Sequence, residues 1–188
     1  MDSHRREVRG AILKAVGHVV ASRGLLAVSM SEVAETAGIG RATLYKYFSD
    51  VQQLLAAWHA DAVAAHLAEL AALASGPGQP EARLRSVLQG YEQICRQRAR
   101  HGGEGVGAAL HHSPADQQPE DQLRNLVAGL IAEAAMAGTV RADVAPKLLA
   151  GFCVAALGAA DHSEPAADDK TLVDLVWAGL VNQTTPVS

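Results

Sequence analysis

The feature that most constrains this fold is a break between two helical patterns in the stretch SMSEVAETAGIGRATLYKYF, residues 29–48. The first pattern begins at Ser29, and the S-x-x-E spacing to Glu32 is typical of a capping box, in which each side chain satisfies an amide at the helix start. It stops at Gly38, and a short second pattern runs from about residue 41 to 48. Because glycine tolerates the left-handed backbone of a tight turn, the break indicates a defined corner.

This stretch meets the demands of a helix-turn-helix, in which two helices joined by a tight turn cross at a steep angle. Ala34 is small where the helices cross, and Gly38 opens the turn. Ile39, Leu44 and Phe48 supply apolar side chains that lock the second helix onto the first. The spacing therefore predicts a helix-turn-helix whose second helix enters the DNA major groove.

The second helix carries polar side chains that suit DNA contact better than a core. Arginine and lysine bind phosphates or guanine edges, and threonine and tyrosine hydroxyls bind phosphates. The start of the first helix, at Ser29, directs its amides to solvent, where a phosphate can bind. The residues predicted to contact DNA are Ser29, Arg41, Thr43, Tyr45, Lys46 and Tyr47.

Composition extends the helical interpretation to all 188 residues. Aromatic residues make up only 4% of the chain, and alanine, the best helix former, is abundant. We therefore expect an all-α fold. Apolar periodicity predicts helices at about 5–22, 29–38, 41–48, 51–74, 81–100, 120–136, 145–159 and 168–183. The segment between the helices at 81–100 and 120–136 is weakly patterned, and one poor helix is predicted in it near 106–111.

Charge is distributed unevenly along the chain. The net charge is −4, yet residues 1–50 hold seven Lys or Arg against five acids, while the rest holds nine against fifteen. Because residues 1–50 are mildly basic and the remainder is acidic, an anionic partner is indicated for residues 1–50 alone.

The segment SMSEVAETAGIGRATLYKYFSDVQQLLAAW resembles the DNA-binding signature of the TetR (tetracycline-repressor-like) transcriptional regulators. The resemblance covers about residues 1–58. The positions that coincide with the family pattern are Gly38, Thr43, Leu44, Tyr45, Tyr47 and Phe48.

The resemblance implies an N-terminal three-helix DNA-binding domain, placed here at 1–50, and a helical ligand-binding and dimerisation domain at 51–188. It implies a homodimeric regulator, most often a repressor, that binds double-stranded DNA at a palindromic operator and is controlled by a small-molecule effector. The alternative is a helical small-molecule-binding protein with a degenerate DNA-binding head.

One position departs from the family pattern. Many members carry a lysine that touches phosphate near the start of the fourth helix, where this chain has Val51, followed by Gln52 and Gln53. The alternative function draws its support from this missing lysine. Lys46 and the dipole of the fourth helix are the candidates for partial compensation.

A single helix-turn-helix grips one half-site, so the second domain is expected to pair two copies. Small residues within LLAGFCVAALGAA allow close approach of helices, and LVDLVWAGLV has a wide apolar side. The predicted dimer interface is Gly151, Ala155, Gly158, Leu172, Leu175, Val176, Gly179 and Leu180, with intrachain core as the alternative.

Effector pockets are mainly apolar with a few polar groups. On that criterion, the residues predicted to line one are Trp58, His66, Tyr91, Cys95, His111, Leu123, Leu126, Val127 and Phe152. Each has an ordinary alternative as core or as a solvated loop residue.

Other classes of site find no support in the sequence. His59 and His66 lie two turns apart on one helix, about 10.5 Å by rise, too far to share one metal ion. No cofactor motif, catalytic motif or signal peptide is present, so we expect neither metal, cofactor nor catalysis. Cys95 and Cys153 are predicted to be free thiols, and the protein is expected to be cytoplasmic, without membrane contact.

Overall fold

The computed structural model describes residues 2–100, 117–159 and 171–181, and these contain eight α-helices and no strand. The helices are α1 Asp2–Arg23, α2 Met30–Thr36, α3 Arg41–Tyr45, α4 Val51–Ala74, α5 Pro80–Arg100, α6 Gln117–Met136, α7 Pro146–Gly158 and α8 Thr171–Leu180. The predicted all-α fold is confirmed, and α4 has the predicted bounds. The weak helix predicted at 106–111 lies outside the described residues.

Two compact units divide the described residues. The first holds 2–65 and Arg100, and the second holds 66–99, 117–159 and 171–181. Helix α4 contributes residues to both, because the boundary falls after Ala65 in its interior. The boundary expected at residue 50 marks the end of the helix-turn-helix, whereas the contacts divide the chain fifteen residues later.

The first unit is built around the apolar side of α1. Ile12 and Val16 are fully buried, and Val33 and Leu44 from α2 and α3 are fully buried in the same cluster. Leu54 joins them from the first turn of α4. Four helices therefore share one small core, and this core fixes the orientation of α3.

The second unit packs parts of α4 and α5 with α6, α7 and α8 around a separate, larger core. Leu84 and Leu88 on α5 are buried there, as are Ile131 on α6 and Leu157 on α7. Tyr91 on α5 is only partly buried against the same core. Among the described residues, Glu92 is the one buried charged residue, and it pairs with Arg96 one turn away.

Candidate functional site

The corner between α2 and α3 is closed by paired backbone hydrogen bonds. Gly38 has φ 66°, in the left-handed region that favours glycine. Its amide donates to the carbonyl of Glu35 at 3.0 Å, and the amide of Ile39 donates to the carbonyl of Ala34 at 3.0 Å. This pair of bonds is the Schellman motif, which ends a helix and turns the chain. The role predicted for Gly38 is confirmed.

Helix α3 is held by apolar residues on one side and exposes polar ones on the other. Leu44 is fully buried, Phe48 is 3% exposed, and Ile39 is half-buried against the same core. Arg41, Tyr45 and Lys46 are exposed, and Tyr45 retains 55% of its surface. The short helix thus presents a polar surface on a rigid base.

The remaining predicted DNA contacts on α3 are less exposed. Thr43 is half-buried, and Tyr47 is half-buried with its ring packed against the core of the first unit. Helix α3 ends at Tyr45, because Lys46 and Tyr47 donate to carbonyls three residues back and tighten the last turn. The helix was predicted to reach residue 48, so three residues assigned to it follow it instead: Lys46, Tyr47 and Phe48.

Arg41 begins α3 and is tied back to α2. Its guanidinium donates a hydrogen bond to the hydroxyl of Ser31 in the first turn of α2. The contact joins the start of the two helices across the corner. It also holds one cation of the polar surface at a defined place.

Ser29 caps α2, but only half of the predicted capping box forms. Its hydroxyl oxygen accepts from the amide of Glu32 at 3.2 Å. The Glu32 carboxylate pairs instead with Arg23 of α1. The prediction that the Ser29 amide donates to the Glu32 carboxylate was wrong. A cation on a neighbouring helix competes more strongly for a carboxylate than an amide does.

The start of α4 has a complete reciprocal cap in place of a cation. The amide of Gln53 donates to Asp50 Oδ1 at 2.8 Å, and Gln53 Oε1 accepts from the amide of Ser49 at 2.7 Å. The hydroxyl of Ser49 also donates to Asp50 Oδ2 at 2.7 Å. The hydrogen bonds that the Asp50 carboxylate accepts from the Gln53 amide and from this hydroxyl lower its pKa below the ordinary 3.8. The dipole of α4 therefore already faces a carboxylate, which opposes the compensation predicted for the missing lysine at Val51.

The predicted effector residues are scattered rather than gathered in one place. Trp58 belongs to the first unit, where its indole lies close to Gly17 of α1. In the second unit, Leu123 and Val127 are buried core residues of α6, and Leu126 packs against that core. His111 lies outside the described residues.

The described polar members of the predicted effector set, His66, Tyr91 and Cys95, are partly or fully buried. His66 is half-buried on α4, and burial lowers its pKa. Cys95 is fully buried, and Tyr91 packs partly buried near Gly158 of α7. Burial likewise raises the pKa of the Cys153 thiol to about 12.

Phe152, predicted to line the effector site, lies instead on the outer side of α7. It is 49% exposed, and its ring rests on α8 at Gly179, where an added Cβ would come 3.4 Å from the ring edge. On the same side of α7, Leu148 is 68% exposed, and on α8 Leu175 is 63% exposed. We call the surface that Leu148, Phe152 and Leu175 form the α7–α8 face.

Most of the predicted dimer residues lie on or beside the α7–α8 face, and two do not. Ala155 is exposed, and Gly151, Leu172 and Gly179 are half-buried, as is Gly158, which lies near Tyr91. Val176 and Leu180 are 2% and 0% exposed in the core of their own unit. The alternative, intrachain core, describes these two, because they occupy the inner side of α8. Leu148, which is not in the predicted set, is exposed one turn before Phe152.

Two arginines hold α8 in place. Arg85 of α5 pairs with Asp174, and its Cζ lies 5.2 Å from the centre of the Trp177 ring. Arg141 directs its backbone amide to the Leu180 carbonyl at 2.8 Å, at the end of the helix. The inner and outer sides of α8 are thus fixed without a partner chain.

An open groove of about 440 Å³ lies where α4 ends and α5 begins. Leu73 and Pro77 line it, together with Arg83, whose guanidinium donates to the Ala74 carbonyl and pairs with Glu133. Of the residues predicted to bind the effector, none of those that the structure describes lines this groove. The Arg83 guanidinium in this groove already binds the Ala74 carbonyl at the end of α4.

A helix-turn-helix with cationic and hydroxyl side chains exposed on its second helix defines a DNA-binding protein. The family description "Bacterial regulatory proteins, tetR family" matches residues 12–58, which include that motif. A second description, "Transcriptional regulator SbtR-like, C-terminal domain", matches residues 96–182. Together they cover more than two thirds of the sequence, and the chain belongs to the TetR family of bacterial transcriptional regulators.

Solved structures share the fold over nearly the whole chain. A TetR/AcrR-family regulator from Thermobifida fusca is 21% identical, with 94% of this chain and 97% of that one covered and a TM-score of 0.75. The regulator SCO0520 from Streptomyces coelicolor is 25% identical, covering 93% and 99%, at 0.67. A regulator from Pectobacterium atrosepticum is 23% identical, covering 95% and 93%, at 0.73. No curated protein matches the sequence.

Membership of the family defines the kind of protein and its partners. The chain is a DNA-binding transcriptional regulator, of a family whose members bind operator DNA as homodimers, respond to small-molecule ligands and are in general not enzymes. No helix in the described part of the chain is long and apolar enough to span a membrane.

Proposed function

We propose that α3 is the DNA-reading helix of a homodimeric, effector-controlled repressor that acts in the cytoplasm and catalyses no reaction. The observation that carries this assignment is the exposure of Arg41 and Tyr45 on α3 and of Lys46 directly after it, while Leu44 and Phe48 are buried on the opposite side. A rigid base lets side chains meet base edges at a fixed depth in the major groove.

The individual contacts follow from the chemistry of the side chains. Arg41 and Lys46 bind guanine edges or phosphates, and the hydroxyls of Thr43 and Tyr45 donate to phosphates. Ser29 acts through its exposed hydroxyl, since the oxygen already accepts the Glu32 amide. The hydroxyl of Tyr47 is assigned to a phosphate as well, while its partly buried ring packs against the core.

Pairing of two copies through the α7–α8 face supports reading of a palindrome. Three large apolar side chains stay exposed there, and a monomer gains stability by covering such a patch. Two apolar helices from each copy would then form a four-helix interface between subunits. Twofold symmetry doubles the base contacts of a single α3.

We place the effector in the second unit, with His66 and Tyr91 as its polar partners. Both side chains are only partly buried, and both lie on helices whose other residues form an apolar core. A mainly apolar site with a few polar groups is typical of small-molecule binding. Tyr91→Phe should weaken effector binding without changing DNA affinity measured in the absence of the effector.

The test of DNA reading starts from selection of duplexes from a random library by the full-length protein. Fluorescence anisotropy then compares the selected palindrome with a scrambled duplex. Replacing Thr43 by Ala and Tyr47 by Phe removes two hydroxyls and keeps the ring in the core, so affinity for the palindrome should fall about tenfold or more.

Thr139→Ala is the matched control, since Thr139 lies in the second unit and its hydroxyl bonds the Ala134 carbonyl. It should leave the palindrome affinity unchanged. Unaltered affinity in the Thr43 and Tyr47 double variant would contradict the assignment of α3. Equal binding of palindrome and scrambled duplex by the wild type would favour the degenerate-head alternative.

A further inference from the structure

We infer that Arg5 and Arg9, on the exposed side of α1, bind the DNA phosphate backbone beside α3 and supply the cationic contact that Val51 lacks. The inference rests on the proposed DNA-reading role of α3. It adds a second element, α1, to the part of the protein that touches DNA.

The two arginines lie within cation–π distance of the two aromatic residues that follow α3. The Cζ atom of Arg5 lies 5.9 Å from the centre of the Tyr47 ring, and that of Arg9 lies 5.8 Å from the centre of the Phe48 ring. Residues four apart on a helix share one side. One side of α1 therefore places two guanidinium groups, one turn apart, against consecutive rings at the end of the reading helix.

This cation–π contact leaves the guanidinium groups able to bind an anion. It is an attraction between a charge and a ring and uses none of the N–H donors as hydrogen bonds to an oxygen. Arg5 and Arg9 are exposed, and neither forms an ion pair with a carboxylate among the described side chains. By contrast, Arg23 is paired with Glu32. Arg5 and Arg9 thus keep their full charge and a fixed position.

The amino end of α4 does not provide this contact. Gln53 and Ser49 both bond Asp50 or each other there, and the Asp50 carboxylate repels a phosphate. Val51 carries no donor. Besides Arg41 and Lys46 at α3 itself, a phosphate near the end of α3 therefore has Arg5 and Arg9 of α1 as candidate cations, because these two lie against Tyr47 and Phe48.

The experiment measures the salt dependence of binding to the selected palindrome. Each phosphate contact contributes about 0.9 to the slope of log K against log salt concentration. A homodimer carries two copies of each arginine, so Arg5→Gln or Arg9→Gln should lower the magnitude of the slope by about two, and the double variant by about four. Preference for the palindrome over a scrambled duplex should persist, because phosphate contacts carry no sequence information.

Lys14→Gln is the matched control for charge. Lys14 is exposed on α1 about 140° around the helix from Arg9, and it should leave the slope unchanged. The double variant Arg5→Lys with Arg9→Lys keeps both charges and should keep most of the slope. Circular dichroism melting establishes that every variant is folded.

Three results would overturn the inference and leave the proposed function standing. The first is a slope in the glutamine variants equal to that of Lys14→Gln. The second is loss of palindrome preference at an unchanged slope, which would mean that the arginines only position Tyr47 and Phe48. The third is a slope that falls as much with lysine as with glutamine, which would exclude a charge effect. A wild-type protein without palindrome preference would instead remove the proposed function itself.

Discussion

The amide of Ile39 donates to the carbonyl oxygen of Ala34 across 3.0 Å, and this bond sets the direction in which the chain leaves α2. It spans Gly38, whose left-handed backbone lets the chain reverse within two residues. Leu44 then enters the core of the first unit, and the opposite side of α3 stays in solvent. The surface proposed to read DNA depends on this one corner.

Gly38→Ala should destabilise the protein by about 1–2 kcal/mol, because an L-residue in the left-handed region costs about that much. A Cβ at 38 meets nothing within 4 Å, so the cost is one of backbone conformation alone. Gly10→Ala is the control, because a Cβ there is also unobstructed but the residue lies inside α1. It should stabilise by about 0.5–1 kcal/mol. Urea denaturation measures both, and equal effects would refute the role of Gly38.

Asp50 should make stability depend on pH in the acid range. Hydrogen bonds from Gln53 and Ser49 lower its pKa in the folded protein, so its stabilising effect is complete above 3.8 and is lost as pH falls through the lowered value. The difference in unfolding free energy between wild type and Asp50→Ala should therefore shrink as the solution is acidified below 3.8.

Asp50→Asn separates the cap from the charge. Asparagine accepts the same amide hydrogen bond but does not titrate, so its difference from the alanine variant should stay constant over this pH range. Denaturation of the three proteins at a series of pH values gives the answer. A constant difference between wild type and alanine would disprove the coupling.

Leu175→Glu should convert the dimer into monomers, since it places a carboxylate in the middle of the α7–α8 face. A buried unpaired charge costs far more than a surface charge. Met136→Glu is the matched control, because Met136 is 82% exposed at the end of α6 and lies outside that face. Light scattering after size-exclusion chromatography measures the mass. A Leu175→Glu protein that remains dimeric would place the interface elsewhere.

The two cysteines should react with thiol reagents only when the second unit opens. Cys95 and Cys153 are each 0% exposed, and burial raises the pKa of Cys153 to about 12, which leaves little thiolate at pH 8. Ellman's reagent should label the native protein slowly and the urea-unfolded protein at once. An Ala64→Cys variant, exposed on α4, supplies a thiol that reacts immediately. Fast native labelling of the wild type would contradict their burial.

Local patterns predicted the helix-turn-helix well because its determinants lie within twenty residues. The left-handed glycine, the small residue at Ala34 and the apolar lock at Leu44 act over one or two turns. The partner of Glu32 was missed because Arg23 is on another helix, and the spacing of a capping box holds no information about it.

The sides of α7 and α8 could not be assigned from the sequence, because both helices are apolar nearly all round. Phe152 and Val176 are equally hydrophobic, yet one lies outside and the other in the core. The choice follows from contacts between distant segments, such as Arg85 with Asp174. The effector site depends on similar long-range contacts, and its prediction from residue types remains a hypothesis.

The α7–α8 face presents aliphatic and aromatic groups at Leu148, Phe152 and Leu175. Recognition at such a face rests on shape, whereas charged positions would let one chain reject another by repulsion. In a cell with several regulators of this fold, we expect the bulk of these three side chains to decide which chains pair. Exchanging them between two related regulators should exchange their pairing preference and leave each operator unchanged.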